Sequence, residues 1–217
     1  MKIDYKWTVS DQGYKPIFIS FLICWLGTAF FGISIISILL LVTFVLIIHF
    51  FRDPERIIPN TSGIISPADG KIISVDLVEE EEFTNVEMRR ICIFLSLLDC
   101  HIARSPISSE VKETIYYPGK FKFANSPECI ENERLYLHLK TQDNSNIILI
   151  LFAGYIARRI VPFVSKGSLL EIGERIGIIK FGSRIDIYVP SSYVTNFKAG
   201  DEVVAGESIL FTKPNEK

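Results

Sequence analysis

Cysteine and histidine are scarce in this chain of 217 residues. Its four cysteines, Cys24, Cys92, Cys100 and Cys129, are scattered and form no Cys-x-x-Cys pair. This spacing argues against a disulfide framework or a zinc knuckle and favours a reducing compartment. Only three histidines are present, and one of them, His49, lies in a long apolar segment. A multi-histidine site is therefore not expected, and we predict no metal.

An excess of charge of either sign is also missing. The chain carries 23 basic and 25 acidic residues, a formal net charge of −2, so no basic surface for nucleic acid is implied. No Walker loop and no Gly-x-Gly-x-x-Gly fingerprint occurs, which removes the common signals for nucleotide binding. A hydrophobic content of 48% excludes wholesale disorder.

Charged side chains are absent from one long stretch near the N-terminus. The 36 residues from Pro16 to Phe51 contain no Asp, Glu, Lys or Arg. A membrane span needs about 20 apolar residues, and 36 residues in one helix would extend about 54 Å. The stretch is also too long for a secretory signal. It therefore predicts two short helices folded as a hairpin, with the turn near Gly27 to Gly32.

Basic residues flank this apolar stretch on both sides. Lys2, Lys6 and Lys15 precede it, and Arg52 and Arg56 follow it. Because positive charge marks cytoplasmic flanks, we expect residues 1–56 to anchor the protein on the cytoplasmic face of the cell membrane, whether the hairpin spans the bilayer or enters one leaflet. The alternative is a pair of core helices in a soluble protein.

Past Phe51 the chain is typical of a β domain, for which we expect the bounds 57–217. Short runs rich in Ile, Val, Phe and Tyr alternate with turn residues, as in antiparallel β proteins. Ten runs are predicted as strands: Gly63–Ser66, Lys71–Val78, Arg90–Leu97, Val111–Tyr117, Arg134–Lys140, Asn146–Ala153, Ser168–Leu170, Ile176–Phe181, Arg184–Val189 and Ser208–Phe211. The phrase Gly-Asp-x-Val-x-x-Gly at 200–206 is similar to the hairpin of biotinyl/lipoyl-type barrels. The predicted fold is mainly β, a compact antiparallel β barrel or sandwich with lipoyl-like hairpin features, preceded by the hydrophobic helical hairpin.

Three short phrases contain side chains that could carry chemistry. His101 follows an apolar run, with an acidic and a basic residue nearby in Leu98–Pro106. Such a strand end is typical of the rim of a site, but an ordinary surface loop fits it equally well. Asp69 occupies a Pro-Ala-Asp-Gly turn, in which Asp is favoured for structural reasons alone. Gly182-Ser183, between two strand-like runs, is by itself an ordinary turn or bulge.

A Gly-Ser pair can nevertheless break its own chain. Gly182 offers little steric hindrance at its carbonyl, and the Ser183 hydroxyl can attack that carbonyl where the backbone is strained. The amide then becomes an ester, and β-elimination cuts the chain. The dehydroalanine that remains hydrolyses to a pyruvoyl group. A base must activate the hydroxyl, and His with Asp is the usual arrangement for that task.

Together and in this order, the three phrases resemble the phosphatidylserine decarboxylase proenzymes. They read Ser-Pro-Ala-Asp-Gly at 66–70, Asp-x-His-x-x-Arg-Ser-Pro at 99–106 and Phe-Gly-Ser-Arg at 181–184, and Phe-Phe-Arg-Asp-Pro at 50–54 adds to them. The resemblance is to the short bacterial and archaeal subgroup, whose processing motif reads Gly-Ser-Arg. It covers nearly the whole chain and favours functional roles for Asp69 and Ser183.

The resemblance implies a self-cleaved decarboxylase of phospholipid biosynthesis. Cleavage between Gly182 and Ser183 would leave a membrane-bound β chain, 1–182, and an α chain, 183–217, which together form a heterodimer. Residue 183 would become the pyruvoyl cofactor, which forms a Schiff base with phosphatidylserine and accepts electrons as carbon dioxide leaves. Phosphatidylethanolamine is then released. Asp69 and His101 would assist the cleavage, and His101 would also transfer a proton during decarboxylation.

The chain departs from longer family members at one position. Those members carry a second histidine three residues after the first, where this sequence has Arg104. The role of that histidine is not transferred, and Arg104 is expected instead to face the lipid phosphate or carboxylate. Arg52 and Arg56 would lie at headgroup level, because a diacyl substrate resides in the bilayer.

Two other functions stay open on the sequence alone. One is a membrane-anchored, lipoyl-like adaptor or carrier without catalysis. Against it, neither Lys166 nor Lys198 has the surroundings of a carrier lysine, and the coiled-coil heptads of an export adaptor are missing. The other is a related pyruvoyl decarboxylase that acts on an ether-linked serine phospholipid or on a soluble amino acid.

Overall fold

A computed structural model of the protein describes residues 7–60, 63–119, 131–154, 159–180 and 183–214. The chain forms two compact units, Met1–Glu55 and Arg56–Lys217. The first unit is mostly helical, and the second is built from β-strands.

The helical unit is a pair of apolar helices that pack against each other. Helix α1 spans Tyr14–Phe31 and helix α2 spans Ile35–Phe50. The rings of Phe21 on α1 and Phe44 on α2 lie 5.9 Å apart between centroids. The two helices therefore run antiparallel, as a hairpin does.

The turn between the helices lies at residues 32–34, which is later than the start expected at Gly27. Gly27 stays inside α1, where its lack of a side chain leaves room for Leu40 of α2. Gly32 makes the turn, with a φ of +60° that glycine adopts readily. Ser34 then caps α2, because its hydroxyl oxygen accepts a hydrogen bond of 3.4 Å from the Ser37 N–H.

Both helices expose apolar side chains. Residues Asp11–Phe31, which add a short 3-10 turn (Asp11–Gly13) to α1, form a 21-residue stretch long and apolar enough to cross a membrane. Strands β1 (Trp7–Val9) and β2 (Arg52–Pro54) pair antiparallel and join the two ends of the helical pair. The apolar helix supports membrane association of this unit.

An eight-stranded antiparallel sheet dominates the second unit. Its strands are β4 (Gly70–Glu80), β5 (Val86–Leu95), β7 (Ser109–Tyr117), β8 (Arg134–Thr141), β9 (Asn146–Ala153), β11 (Leu169–Leu170), β13 (Ser183–Pro190) and β14 (Glu202–Val203). Their order across the sheet is β11-β7-β8-β9-β13-β5-β4-β14. The sheet curls into a half barrel, with β13 in its interior rather than at an edge.

Apolar and polar side chains alternate along the strands, so the apolar ones form a core on one face of this sheet. In β8, Leu135, Leu137 and Leu139 are buried while the residues between them are partly exposed. Ile185 and Ile187 of β13 belong to the same buried cluster. Successive side chains of a strand point to opposite faces, so Ser183, two residues before Ile185, also points to the core face.

The described part of this unit also contains two small antiparallel sheets. One contains β10 (Arg159–Pro162), β12 (Arg175–Lys180) and β6 (Ile102–Arg104), in the order β10-β12-β6. The other pairs β15 (Ile209–Phe211) with β3 (Ile64–Ile65). Strand β12 ends only three residues before β13 begins, so the three-stranded sheet leads directly to Ser183.

The mainly β, antiparallel fold predicted from the sequence is confirmed. Each of the ten predicted runs overlaps a strand, although Phe181 at the end of one run lies outside the described residues. Among the described residues, five strands were not predicted: β1, β2, β6, β10 and β14. Each is two to four residues long, which is too short to show a period of two.

Candidate active site

Ser183 is the first residue of a strand in the middle of the large sheet. Its register partners are Leu95 on β5 and Ala153 on β9. Leu95 is the last residue of β5 and Ala153 is the last residue of β9. Ser183 therefore lies at one end of the sheet, between two neighbouring strands. The residue before it, Gly182, lies outside the described residues.

The Ser183 side chain is fully buried. Its exposed fraction is 0%, and no residue in the described part of the chain forms a hydrogen bond with its Oγ atom. Leaving a buried polar group unsatisfied costs about 1–3 kcal/mol, so native structures seldom keep one without a reason. A hydroxyl in this state is a candidate reactive group, and its burial excludes bulk water.

His101 lies at the same end of the sheet. Its backbone carbonyl accepts a hydrogen bond of 3.2 Å from the N–H of Ile179 on β12, four residues before Ser183. The chain also reaches His101 six residues after Leu95, the partner of Ser183 on β5. His101 is therefore linked to the Ser183 end of β13 in two ways, by the hydrogen bond from Ile179 and by the short segment that follows Leu95.

A backbone contact selects the tautomer of the His101 ring. Its Nδ1 atom lies 2.9 Å from the carbonyl oxygen of Asp99. A carbonyl oxygen can only accept, so Nδ1 carries the hydrogen of this bond. In the neutral ring the lone pair is then on Nε2, which is the arrangement that a general base requires. The ring is almost wholly buried, with 1% of the residue exposed.

Both carboxylate oxygens of Asp69 accept hydrogen bonds. Oδ2 accepts from the Arg56 guanidinium at 2.7 Å, and Oδ1 accepts from the backbone N–H of Ala205 at 2.7 Å. Asp69 also lies in the turn that enters β4, where Gly70 has a φ of +143° and approaches the Phe94 carbonyl. The described bonds of Asp69 thus run to Arg56 and Ala205.

The segment at 200–206 that resembled a lipoyl hairpin serves to hold the Asp69 turn. Its β14 strand pairs with the start of β4, and the N–H of Gly206 donates a 2.9 Å hydrogen bond to the Ser66 carbonyl. On the other side of the turn, the Arg104 N–H donates a 2.9 Å bond to the Pro67 carbonyl. The structure therefore brings the Asp69 turn next to β6, the strand that follows His101.

Arg56 is a site residue whose role the sequence did not indicate beyond a place at headgroup level. Burial alone would lower the pKa of its guanidinium, but the charge and hydrogen bond of Asp69, with further contributions from Cys100, raise the pKa overall. Arg56 therefore stays a cation between Asp69 and Cys100, the residue directly before His101. It connects the Asp69 turn with the His101 segment through side chains, as Arg104 does through the backbone.

Arg104 lies inside the unit, with 6% of the residue exposed. Its guanidinium donates a 3.0 Å hydrogen bond to the carbonyl of Gly173, and its Cδ atom lies beside Gly206. The sequence had suggested a lipid phosphate or carboxylate as its partner. That partner stays a prediction, and the described hydrogen bond ties Arg104 to the protein backbone, a long-range contact that spacing along the chain could not reveal.

Two further residues, Asn132 and Glu133, brace the neighbourhood of Ser183. The Asn132 amide donates a 2.8 Å hydrogen bond to the carbonyl of Ala153, which is the register partner of Ser183. The Glu133 carboxylate accepts a 2.8 Å bond from the Ile160 N–H. Both are buried polar residues. Their burial could not be predicted from the sequence, because they lie outside any alternating strand pattern.

On the opposite face of β13, Arg184 forms a bidentate ion pair with Asp186. The two N–H···O distances are 2.5 and 2.6 Å, and the guanidinium carbon lies 5.4 Å from the centre of the Phe152 ring. Burial raises the pKa of the neighbouring Cys92 thiol to about 12, with a further contribution from the charge of Asp186. Cys92 is therefore a neutral thiol and not a nucleophile.

In the parts of the chain that the structure describes, no group of three or more His, Cys, Asp and Glu side chains is arranged to hold a metal ion. The candidate groups are a buried hydroxyl, an imidazole with a defined tautomer and a carboxylate bound by arginine. Such a set suits proton transfer to and from a serine.

Comparison with known proteins gives a consistent result. A family model described as phosphatidylserine decarboxylase matches residues 44–211. The phosphatidylserine decarboxylase proenzyme of Ehrlichia chaffeensis is 41% identical over 216 residues, or 97% of this chain and 93% of that protein. The proenzyme of Nitrosomonas eutropha is 35% identical over 204 residues, or 93% and 94% of the two chains. That of Desulfotalea psychrophila is 40% identical over 179 residues, or 82% and 84%.

Proposed function

Since this chain belongs to the phosphatidylserine decarboxylase family, we propose that it cuts itself before Ser183 and then converts phosphatidylserine to phosphatidylethanolamine and carbon dioxide. The observation that carries the proposal is the fully buried Ser183 hydroxyl beside the His101 segment. Membership of a decarboxylase family also argues against the non-catalytic carrier considered above.

Self-cleavage needs only residues of this chain and one water molecule. His101 Nε2 takes the hydroxyl proton while Ser183 Oγ attacks the carbonyl carbon of Gly182. The bond from that carbon to the Ser183 nitrogen then breaks, the nitrogen receives the proton, and the amide becomes an ester. Loss of the Ser183 Cα proton then expels the Gly182 carboxylate and leaves dehydroalanine at residue 183. Hydrolysis of its imine tautomer releases ammonia and leaves a ketone. No oxidant is required, and the proposed base has its lone pair on Nε2, as such proton transfers need.

The surroundings of Ser183 fit the pyruvoyl group that this cleavage would produce. Among the described residues, none forms a hydrogen bond with the Ser183 hydroxyl, and Leu95 and Ala153 hold the backbone in register on both sides. When present, the pyruvoyl carbonyl supplies an electron acceptor for the loss of carbon dioxide. The role that we propose for His101 is to hold a proton at Nε2 and to donate it to the substrate carbon from which carbon dioxide has left.

The proposed products are a β chain, 1–182, and an α chain, 183–217, that remain associated as a heterodimer. Strand β13 of the α chain pairs with β5 and β9, and β15 pairs with β3. The bond from Ala205 to Asp69 also joins the two chains. These contacts support an assembly that survives the cut.

The proposal predicts the composition and activity of the purified wild-type protein. Intact mass should show two chains that meet at 182/183, and the α chain should be lighter than its sequence by one ammonia. Carboxyl-labelled phosphatidylserine should release labelled carbon dioxide. A single chain of 24.7 kDa without activity would contradict the proposal. Assaying diester and diether substrates side by side decides between ester-linked and ether-linked lipids.

For Asp69 we propose a positioning role toward His101, supported by its bonds to Arg56 and to the turn beside β6. Asp69→Asn keeps an oxygen that can accept from Ala205 but removes the charge opposite Arg56. Breaking a buried ion pair from one side costs about 3–5 kcal/mol, so we expect a shifted turn, a lower melting temperature and a largely uncut chain. Intact mass over time measures the cleavage.

The matched control is Asp76→Asn, which breaks the Asp76–Arg90 pair of 3.0 Å in a more exposed place. We expect that variant to be cut at the wild-type rate. If Asp69→Asn remains folded by circular dichroism and is also cut at the wild-type rate, the role proposed for Asp69 is wrong.

We further propose that the helical unit holds the protein on the cytoplasmic face of the cell membrane. Support comes from the apolar stretch Asp11–Phe31 and from basic residues on both flanks of the helical pair. The full chain should stay in the pellet when membranes are washed with carbonate, and deletion of residues 11–50 should move it to the supernatant. Release of the full chain together with no effect of the deletion would exclude the anchor.

A further inference from the structure

The turn between β5 and β6 exposes two adjacent leucines. Leu97 is 47% exposed and Leu98 is 63% exposed. Single exposed apolar residues are common on protein surfaces, but two neighbours at the tip of one turn form an apolar projection. We call residues 96–99 the Leu97–Leu98 turn.

The turn is held in shape by polar bonds at its base. The Asp99 N–H donates to the Ser96 carbonyl at 3.1 Å, and the Ser96 N–H donates to Asp99 Oδ2 at 2.7 Å. Its backbone is therefore ordered without any need to bury the leucines. A preformed projection loses little conformational entropy when it binds to another surface.

The turn lies beside the candidate active site. Leu97 follows two residues after Leu95, the partner of Ser183, and Leu98 precedes His101 by three residues. An extended chain spans at most about 3.6 Å per residue, so Leu98 is within about 11 Å of His101. Whatever the leucines contact is thereby brought close to the reacting groups.

An open pocket begins at the base of the same turn. Its volume is about 400 Å³, and its lining includes Ser96 and Asp99 of the turn together with Asp69, Lys71 and Val204. This volume is within the range of small-molecule sites. Val204 is itself 37% exposed and adds to the apolar rim.

We propose that Leu97 and Leu98 insert into the surface of a phospholipid bilayer and hold the active site at the level of the headgroups. The inference rests on the proposed function, because it takes the substrate to be a diacyl lipid. Moving such a lipid into water costs about 0.8 kcal/mol for each CH₂ group exposed. A site whose rim enters the interface removes that cost, and the two leucines lie where such a rim is needed.

The kinetic test uses the full chain with Leu97→Ser and Leu98→Ser combined. We expect the apparent KM for phosphatidylserine in vesicles to rise about tenfold or more, with kcat unchanged. The KM for monomeric short-chain phosphatidylserine should not change. The matched control is Leu169→Ser, which removes a leucine that is 79% exposed on β11, an edge strand five positions away from β5 in the sheet. Equal effects of the two variants, or a loss with the monomeric substrate, would overturn the proposal.

A second measurement is independent of activity. Leu98→Trp is made in a full chain that carries Trp7→Phe and Trp25→Phe, so that the introduced indole is the sole tryptophan. In vesicles with brominated phospholipids we expect strong quenching of its fluorescence. The same change at Leu169 should give little quenching. Absence of quenching at position 98 would exclude insertion.

Two outcomes separate this inference from others. If the indole at position 98 becomes buried as protein concentration rises without lipid, the turn contacts a second copy of the chain and the proposal is wrong. If the wild-type protein shows no decarboxylation while the indole is quenched, the proposed function fails and the insertion stands.

Discussion

Ser183→Ala should produce one uncut chain without decarboxylase activity. The variant lacks the hydroxyl oxygen that attacks the Gly182 carbonyl, so neither the ester nor the later elimination can form. The loss should be complete rather than partial, because neither register partner of Ser183, Leu95 or Ala153, carries a hydroxyl that could replace it. Intact mass and release of labelled carbon dioxide measure the two effects.

Two variants make the Ser183 result specific. Ser105→Ala is the matched control, because Ser105 is also fully buried but its hydroxyl donates a 2.8 Å bond to the Ile107 carbonyl. It should cost about 1 kcal/mol of stability and leave cleavage intact. Ser183→Cys should be cut slowly, since a thiol can make the same acyl shift. An ordinary serine amine at residue 183 of a wild-type α chain would refute the mechanism.

His101→Ala should slow self-cleavage by about 10²–10⁴-fold, the usual contribution of an aligned general base. The expected product is an uncut chain that accumulates over hours while the wild type is fully processed. His138→Ala is the matched control, because His138 lies on β8 and its ring contacts Asn146, so it should be cut normally. A time course of intact mass distinguishes the two variants. Normal cleavage of His101→Ala would show that another group activates Ser183.

The core strands could be predicted from the sequence because each contains its own signal. Leu135, Leu137 and Leu139 alternate with polar residues, and the buried face of β8 follows from that alternation alone. The helical pair was predicted for a similar reason, from an apolar stretch too long for one helix. The turn predicted near Gly27 to Gly32 is correct at Gly32 but began too early, because Gly27 serves packing against Leu40 rather than a change of direction.

The contacts that assemble the candidate site could not be predicted, because they join distant parts of the chain. The bond between Asp69 and Ala205 spans 136 residues, and that between Arg104 and Gly173 spans 69. Neither has a local pattern. The order of the motifs identified Asp69, His101 and Ser183 as candidates. The contacts of Arg56 with Asp69 and of Asn132 with Ala153 were found only in the structure.

The central position of β13 also bears on how the enzyme is made. Before the cut, every strand belongs to one chain, and the sheet closes by an intramolecular search whose entropy cost grows only slowly with loop length. After the proposed cut before Ser183, the same strand would belong to a separate peptide of 35 residues that is hydrogen-bonded on both sides. Recovering the folded state from unfolded, processed chains then requires two molecules to meet, so reassembly depends on concentration. The proposed cut would therefore make folding of the uncut precursor the step that places β13, because the separate peptide could return to its place only by a bimolecular association.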